Sequence, residues 1–326
     1  MRVVVTGGAG FIGRAIVKRL ADRGDEVVAL VRDPARAKHV AVEGVTLVTS
    51  NLSSVPAMTE QMRGADGVIH SAGSYRVGIA KSERPAMWEA NVGATERVLD
   101  AAITARVPRI VYVSTNNVFG DTHGTEPDET FRRDLKEGFL SYYDETKFRA
   151  HEAAEKRIAA GAPVVIVQPA QVYGPNDHSL ASAQLELAFR GRLRYVAMPA
   201  SGYAWVHVDD LAAAIVAALD RGQLGETYSL AGDCYRLRDS VAIAARAGGR
   251  RPPILTLPTW LLRVLAPLSD RLGSLPGLPT NLREIVRSGD GVTYWAKHDK
   301  ATAELDFHPR SLEQGASDTW GTAARG

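Results

Sequence analysis

The chain has 326 residues, 45% hydrophobic and 23% charged, and 39 basic against 37 acidic residues leave a formal net charge of +2. That is ordinary globular composition, long enough for one large α/β unit with an attached lobe or for two modest domains. No block of like charges points to a nucleic-acid or membrane partner, and the single cysteine, Cys234, excludes an internal disulfide and reads as a buried spectator thiol.

The β-pattern begins at Arg2, leaving no room for a signal peptide, and a cytoplasmic protein is expected. The most apolar late segment, residues 260–265, is far shorter than the ~20 residues a membrane helix needs. In chain order, residues 3–5, 27–31, 45–48, 67–70, 110–114 and 164–167 read as strands, short apolar runs of the kind buried on both faces of a parallel sheet. A helix over 11–23 ends at Gly24 as a cap, and a long helix spans roughly 84–105, starting near Pro85. Beyond Pro169 short strands and helices mix, and six prolines fall between Pro252 and Pro279. The expected fold is α/β, a doubly wound parallel sheet (Rossmann fold) with a smaller, discontinuous C-terminal substrate lobe. Residues 1–170 with about 204–232 form the part built on that sheet, and 171–203 with 233–326 form the lobe.

Thr6-Gly7-Gly8-Ala9-Gly10-Phe11-Ile12-Gly13 joins the first strand to the first helix. Its glycines allow a tight turn and let a pyrophosphate approach the backbone at the positive end of the helix. After the second strand come Val31-Arg32-Asp33, with Arg36 a turn further on. An acid there suits a free ribose hydroxyl and an arginine suits a 2′-phosphate. Arg32 comes first, which favours NADP over NAD; the alternative makes Arg32 a solvated charge and Asp33 the cap of a helix begun at Pro34.

Tyr143 and Lys147 stand four residues apart, on one helical face. A phenol with an ordinary pKa of ~10 is a poor acid–base group at neutral pH, and a neighbouring ammonium lowers that value. The pair gains weight from Ser114-Thr115-Asn116 at the end of the fifth strand, where a doubly wound sheet binds its ligands.

Together these pieces resemble an extended short-chain dehydrogenase/reductase of the NAD-dependent epimerase/dehydratase family. The matching motifs are residues 6–13, Val68-Ile69-His70-Ser71-Ala72-Gly73, Val111-Tyr112-Val113-Ser114-Thr115 through Val118-Phe119-Gly120, and residues 143–147. Gln168-Pro169-Ala170, Val172-Tyr173-Gly174-Pro175 and Val206-His207-Val208-Asp209-Asp210-Leu211 complete the set, in the family's order, to about residue 232. The resemblance implies that Thr115, Tyr143 and Lys147 form the catalytic set, with Thr115 preferred to Ser114 by counting back from Gly120. It also implies that Gly7, Gly10, Phe11, Ile12, Arg32, Asn51, Leu52, Ala72, Gly73, Tyr143, Lys147 and Pro169 hold the cofactor. Asn91 matches a position the family uses structurally.

Three departures stand out. The family's aspartate facing the adenine amino group is Asn51 here, whose amide oxygen can still accept that bond. Gln168 replaces a common arginine, and Phe119 a frequent tyrosine. His207 with Asp209 and Asp210 invites a metal reading, but an aspartate capping the helix through Leu219 is the better one, and the eight histidines show no zinc-ligand spacing. Asn176-Asp177-His178 forms a loop near the substrate.

Two enzyme readings follow: hydride transfer between nicotinamide and a carbonyl or hydroxyl of a small, hydrophobic substrate, or epimerisation or dehydration of a nucleotide-sugar by tightly bound NAD. Nucleotide-sugar members commonly carry a basic residue shortly before the His-Val-Asp-Asp motif; residues 199–205 hold none, although Arg192 or Arg194 could substitute. Residues 257–262, 291–295 and 300–313 are similar to dihydroflavonol-reductase-like and 3β-hydroxysteroid-dehydrogenase-like members, and their apolar content suits a hydrophobic ligand, or simply packs the lobe. The first reading is preferred. A catalytically silent nucleotide sensor is the third, against which Thr115, Tyr143 and Lys147 count. A small-molecule substrate is the expected partner, with a homodimer open and no metal expected.

Overall fold

Val3, Val4 and Val5 have no exposed surface, because the strand they form, β1 (Arg2–Thr6), lies inside a sheet covered on both faces. The computed structural model describes residues 1–264 and 281–321. β2 (Glu26–Val31), β3 (Val45–Thr49), β4 (Gly67–His70), β5 (Ile110–Val113) and β6 (Val164–Pro169) join β1. The seven-stranded sheet runs β10-β6-β5-β4-β1-β2-β3, its last member being β10 (Thr227–Leu230), and every pairing is parallel. The order reverses between β1 and β4, the switch point at which such sheets open a crevice.

Alternation along the strands sends odd and even residues to opposite faces. Val3 and Val5 pack with Ile16, Val17 and Leu20 of α1 (Phe11–Asp22). Val4 packs on the other face with Met58 and Met62 of α2 (Val55–Met62). The register Thr6↔His70 and Val5↔Ile69 brings β1 and β4 to a common upper edge, and Thr6 Oγ1 meets His70 Nδ1 there at 2.7 Å.

The single helix expected over 84–105 is three pieces. α3 (Arg84–Trp88) passes through a π-helical turn, Glu89–Gly93, into α4 (Ala94–Thr104). The widened turn carries Asn91, which is buried. Its Nδ2 donates to Ser74 O (3.0 Å) and Thr146 Oγ1 (2.9 Å), while Oδ1 accepts from Ser74 N (2.6 Å). One amide therefore fastens the loop after β4 to the helix that follows β5, α5 (Tyr142–Ala159). Such turns recur at functional sites because they re-aim a side chain. No helix begins at Pro34 either. Asp33 Oδ1 accepts from Ala35 N (2.9 Å) in a tight turn, and only Lys38–Val40 coil into a 3₁₀ turn.

After β6 the chain builds a second layer. β7 (Gln171–Tyr173), α6 (Leu180–Phe189), β8 (Tyr195–Ala197) and β9 (Gly202–His207) precede α7 (Val208–Arg221), which returns to pack on α1 and leads into β10. β11 (Cys234–Arg236), α8 (Leu237–Ala247) and β12 (Leu255–Leu257) follow. Among the described residues the chain then adds α9 (Leu282–Gly289), β13 (Thr293–Tyr294), α10 (Asp299–Leu305) and α11 (Leu312–Trp320). β7, β11 and β13 all pair with β9, and β8 pairs with β12. Tyr173, Leu185, Trp205, Val241 and Trp320 form the core of this layer, so part of the late aromatic content is packing. Of the apolar piece at 260–265, residues 259–264 are helical with Trp260 exposed, and Leu265 lies outside the described residues. No helix among the described residues is long and apolar enough to cross a membrane.

Candidate functional site

The glycine turn is built for close approach. Gly7 adopts φ +73°, and a Cβ there would sit 2.7 Å from Ala72 Cα and N; one on Gly13 would sit 2.0 Å from Gly7 O. α1 opens at Gly10 with no side-chain cap and no acidic residue in its first turn. Serines cap α2, α5, α6 and α11. The open N–H groups and positive end of α1 fit a phosphate-bearing cofactor. Gly7, Gly10, Phe11 and Ile12 stand at this turn; Arg32 follows β2, Asn51 and Leu52 follow β3, Ala72 and Gly73 follow β4, and Pro169 ends β6. All therefore lie along one edge of the sheet. Two details are new. Leu52 holds φ +59°, and Asn51 Oδ1 is already turned to Ser53, accepting from its N (3.1 Å) and Oγ (2.6 Å).

α5 starts at Ser141, whose hydroxyl accepts from Asp144 N, and it buries Tyr143, Asp144, Thr146, Lys147, Ala150 and His151 on one side. Tyr143 is within hydrogen-bonding reach of Thr115. Lys147 Nζ donates to Val113 O (3.1 Å) and lies 3.4 Å from Tyr112 Oη. The structure thus brings Thr115, Tyr143 and Lys147 together beyond β5. Ser114, the rival hydroxyl, faces away and pairs with His151 Nδ1 at 3.0 Å.

The electrostatics differ from the sequence expectation that Lys147 lowers the Tyr143 pKa. Burial, with Tyr75, Asp144 and Tyr112 nearby, holds Tyr143 well above 10 against the opposing influence of the Thr115 hydroxyl, which itself donates to Asn117 Oδ1 (3.1 Å). Burial likewise lowers Lys147 to about 8. The phenol is thereby kept protonated, and the ammonium releases its proton more readily than an exposed lysine. His70 stacks on Tyr112 (5.6 Å) and is held neutral, its pKa pushed down to about 3 by burial and then by Lys147.

Several neighbours escaped the sequence. Tyr75 stands edge-on to Tyr143 with ring centroids 4.8 Å apart, and Ile79, Met87, Val77 and Tyr142 pack around the same phenol. Tyr203 and Tyr294 stack at 6.2 Å, and Asn116 Nδ2 ties Tyr294 O to the β5 loop. Asp144 is fully buried beside Tyr143. Its Oδ1 accepts from Asn117 Nδ2 (3.3 Å), its Oδ2 has no partner, and burial pushes its pKa up to about 6. From α9, Glu284 Oε1 accepts from Tyr142 N (2.9 Å), fixing the start of α5. No local pattern marks these residues, because partners such as those of Tyr142 and Tyr294 lie 142 and 178 positions away.

His207 itself caps α7, its Nδ1 accepting from Asp209 N (3.3 Å), in place of the expected aspartate. Asp210 is bound to Arg310. Among the described residues no group of three histidines, cysteines or acids is placed to hold a metal. Asp177 holds Ser179 at the start of α6, and half-buried Cys234 is kept as a thiol, its pKa pushed up to about 12. Gln168 is buried beside Ser229 across β6 and β10, its Oε1 without a partner. A surface cleft of about 360 Å³ beside Cys234 is lined by none of the Tyr143 cluster.

Residues 3–231 match the NAD dependent epimerase/dehydratase family. A Synechocystis protein carrying the provisional name dihydroflavonol 4-reductase is 29% identical, across 96% of this chain and 92% of that one. The 4-hydroxy-2-methyl-3-oxo-4-farnesyl-3,4-dihydroquinoline-1-oxide ketoreductase of Stigmatella aurantiaca is also 29% identical, across 98% and 95%. A dTDP-glucose 4,6-dehydratase of Streptomyces venezuelae, solved with NAD bound, shares the fold with a TM-score of 0.78 at 24% identity, covering all of this chain and 97% of that one.

Asp144 yields a stability test. Its pKa rises from 3.8 to about 6 on folding, so the stability it contributes is full below pH 4 and is lost as pH rises through 6. Asp144→Asn, neutral throughout, should therefore be more stable than the parent at pH 8, by roughly 1–3 kcal/mol, with the gain vanishing near pH 4. Urea unfolding at the two pH values measures this; an equal difference at both contradicts it.

Proposed function

The chain belongs to the NAD dependent epimerase/dehydratase family, and we propose that within it this NAD(P)-dependent enzyme of the short-chain dehydrogenase/reductase type is a carbonyl reductase or alcohol dehydrogenase acting on a small, hydrophobic substrate. The observation that carries this is the Tyr143 phenol, kept protonated by burial and facing an apolar, aromatic surround. A protonated phenol beside an apolar patch is what a carbonyl oxygen needs when it gains negative charge. The ketoreductase name of the Stigmatella relative supports the same reading.

The nicotinamide supplies or accepts the hydride. Tyr143 gives its proton to the substrate oxygen in reduction and takes it back in oxidation. Thr115, within hydrogen-bonding reach of Tyr143, orients that oxygen, and Lys147 would hold the nicotinamide ribose. Residues 1–170 with about 204–232 hold the cofactor, and 171–203 with 233–326 cover the substrate.

Nucleotide-sugar epimerisation or dehydration is the second reading, and the surroundings of residues 199–205 weigh against it. Arg236 does reach that stretch, but its Nη1 donates to Ala200 O (2.7 Å) and Gly291 O (3.1 Å). Arg192 and Arg194 are exposed ahead of β8. A diphosphate would therefore find no cation within residues 199–205 themselves, Arg192 and Arg194 lying ahead of that stretch. For the cofactor, the exposed Arg32 supports NADP, since Asp33 is turned to Ala35 N and Arg36.

Two variants test these assignments. Tyr143→Phe should lower kcat/KM for NADPH-dependent reduction of 9,10-phenanthrenequinone, a flat apolar diketone, by about 10²–10⁴ while leaving NADPH affinity near that of the parent. Unchanged turnover contradicts the catalytic assignment. Arg32→Ala should weaken NADPH binding roughly 10–100-fold, the worth of a charge-assisted bond, and NADH binding little. Equal losses by titration calorimetry contradict the NADP preference.

A further inference from the structure

Two polar side chains, one from each layer, join the same pair of segments. The segments are the loop after β4, which carries Tyr75, and the start of α5, which carries Tyr143. Asn91, in the first layer, bonds Ser74 on the loop and Thr146 on α5. Glu284, on α9 of the second layer, bonds the other end of each. Its Oε1 accepts from Tyr142 N at 2.9 Å and from Gly78 N at 3.5 Å. Its Oε2 accepts from Asn281 Nδ2 at 3.1 Å and lies 3.9 Å from Arg84 Nη2, so the buried carboxyl group has partners on both oxygens. Tyr75 therefore stands between Ser74 and Gly78, and Tyr143 between Tyr142 and Thr146. The two rings meet edge-on inside that bracket, with centroids 4.8 Å apart. The loop is shaped for the contact: Gly78 takes φ +76°, and a Cβ there would lie 2.9 Å from Asn281 O and from Ile285 Cδ1. On α5, the Tyr142 N–H belongs to the first turn and has no carbonyl within the helix to meet. Ser141 caps Asp144 N instead, which leaves Tyr142 N to Glu284.

We propose that Glu284 is a positioning residue for the Tyr143 phenol, holding it against Tyr75 by pinning the loop after β4 to the first turn of α5. The inference rests on the reading of Tyr143 as the proton donor. Glu284 acts through Tyr142 and Gly78, one residue from Tyr143 and three from Tyr75, and not on the substrate itself. Arg84 supports the same point, its guanidinium lying 4.8 Å over the Tyr142 ring. Because Glu284 comes from the second layer, seating α9 and aligning the phenol are one event. The Asn91 contact fixes the far ends of the two segments within the first layer, and the near ends, where the rings meet, are fixed only once the lobe is in place.

The test uses full-length protein carrying 3-fluorotyrosine at position 75, whose ¹⁹F resonance is shifted by the neighbouring ring. Tyr75 is 57% exposed, which leaves room for the fluorine. Tyr143→Leu marks where that resonance falls without the second ring. Glu284→Asp keeps the carboxyl group but is one methylene too short to reach both N–H groups. It should move the resonance at least halfway to the Tyr143→Leu position. It should also lower kcat with phenanthrenequinone about tenfold or more at unchanged KM for NADPH, the cost of a misplaced reacting group. Glu284→Gln keeps the reach without the acid, and should restore the parent resonance and most of the lost kcat. Using two near-isosteric variants guards against one failing to fold. The parent resonance in Glu284→Asp, or a Glu284→Gln resonance displaced as far as that of Glu284→Asp, overturns the proposal. A displaced Glu284→Asp resonance in a protein whose parent form reduces no carbonyl keeps the positioning of the rings and refutes the functional reading.

Discussion

All seven strands of the main sheet run the same way, and that parallelism puts every strand's carboxyl end on one edge. The glycine turn after β1, Arg32 after β2, the Ala72-Gly73 loop after β4 and Thr115 after β5 meet there for no other reason. The crossovers impose a further condition, since each helix must lie against the sheet with an apolar face. For α1 this demands a backbone contact so close that residue 13 has no room for a Cβ. For α5 it demands that polar residues be buried among alanines.

That second demand shapes the chemistry. A buried polar group without a partner costs about 1–3 kcal/mol, so the buried side of α5 has to be wired into its surroundings. Thr146 takes the Asn91 amide, Lys147 takes the Val113 carbonyl, and His151 takes Ser114. The same burial moves Tyr143 up and Lys147 down to about 8, so the phenol holds its proton more tightly than the ammonium does. Asp144, with one carboxylate oxygen left unpartnered, is where the arrangement retains a destabilising group.

Much of the fold was legible because strands buried on both faces are written as unbroken apolar runs, and a glycine run between strand and helix has few other uses. The Thr115, Tyr143 and Lys147 cluster was legible because β5 and the first turns of α5 each carry a local pattern. Helix boundaries at 34 and within 84–105 were not, since Asp33 closes a turn by its own side chain and Asn91 widens its helix to reach Ser74 and Thr146. Nor were Tyr75, Asp144, Glu284 or the Ser114–His151 pair. Their positions depend on how distant elements pack, and Glu284 meets Tyr142 only after the second layer folds over α5.

The central claim is that this edge moves a hydride between nicotinamide and a carbonyl carbon while Tyr143 handles the proton. Incubating the protein with NADPH deuterated at the transferring C4 position and an apolar ketone, then weighing the alcohol by mass spectrometry, tests it most directly. The account predicts one deuterium on the carbinol carbon and none on the oxygen. Unlabelled alcohol, or no alcohol alongside tightly bound NAD that is never consumed, would contradict it.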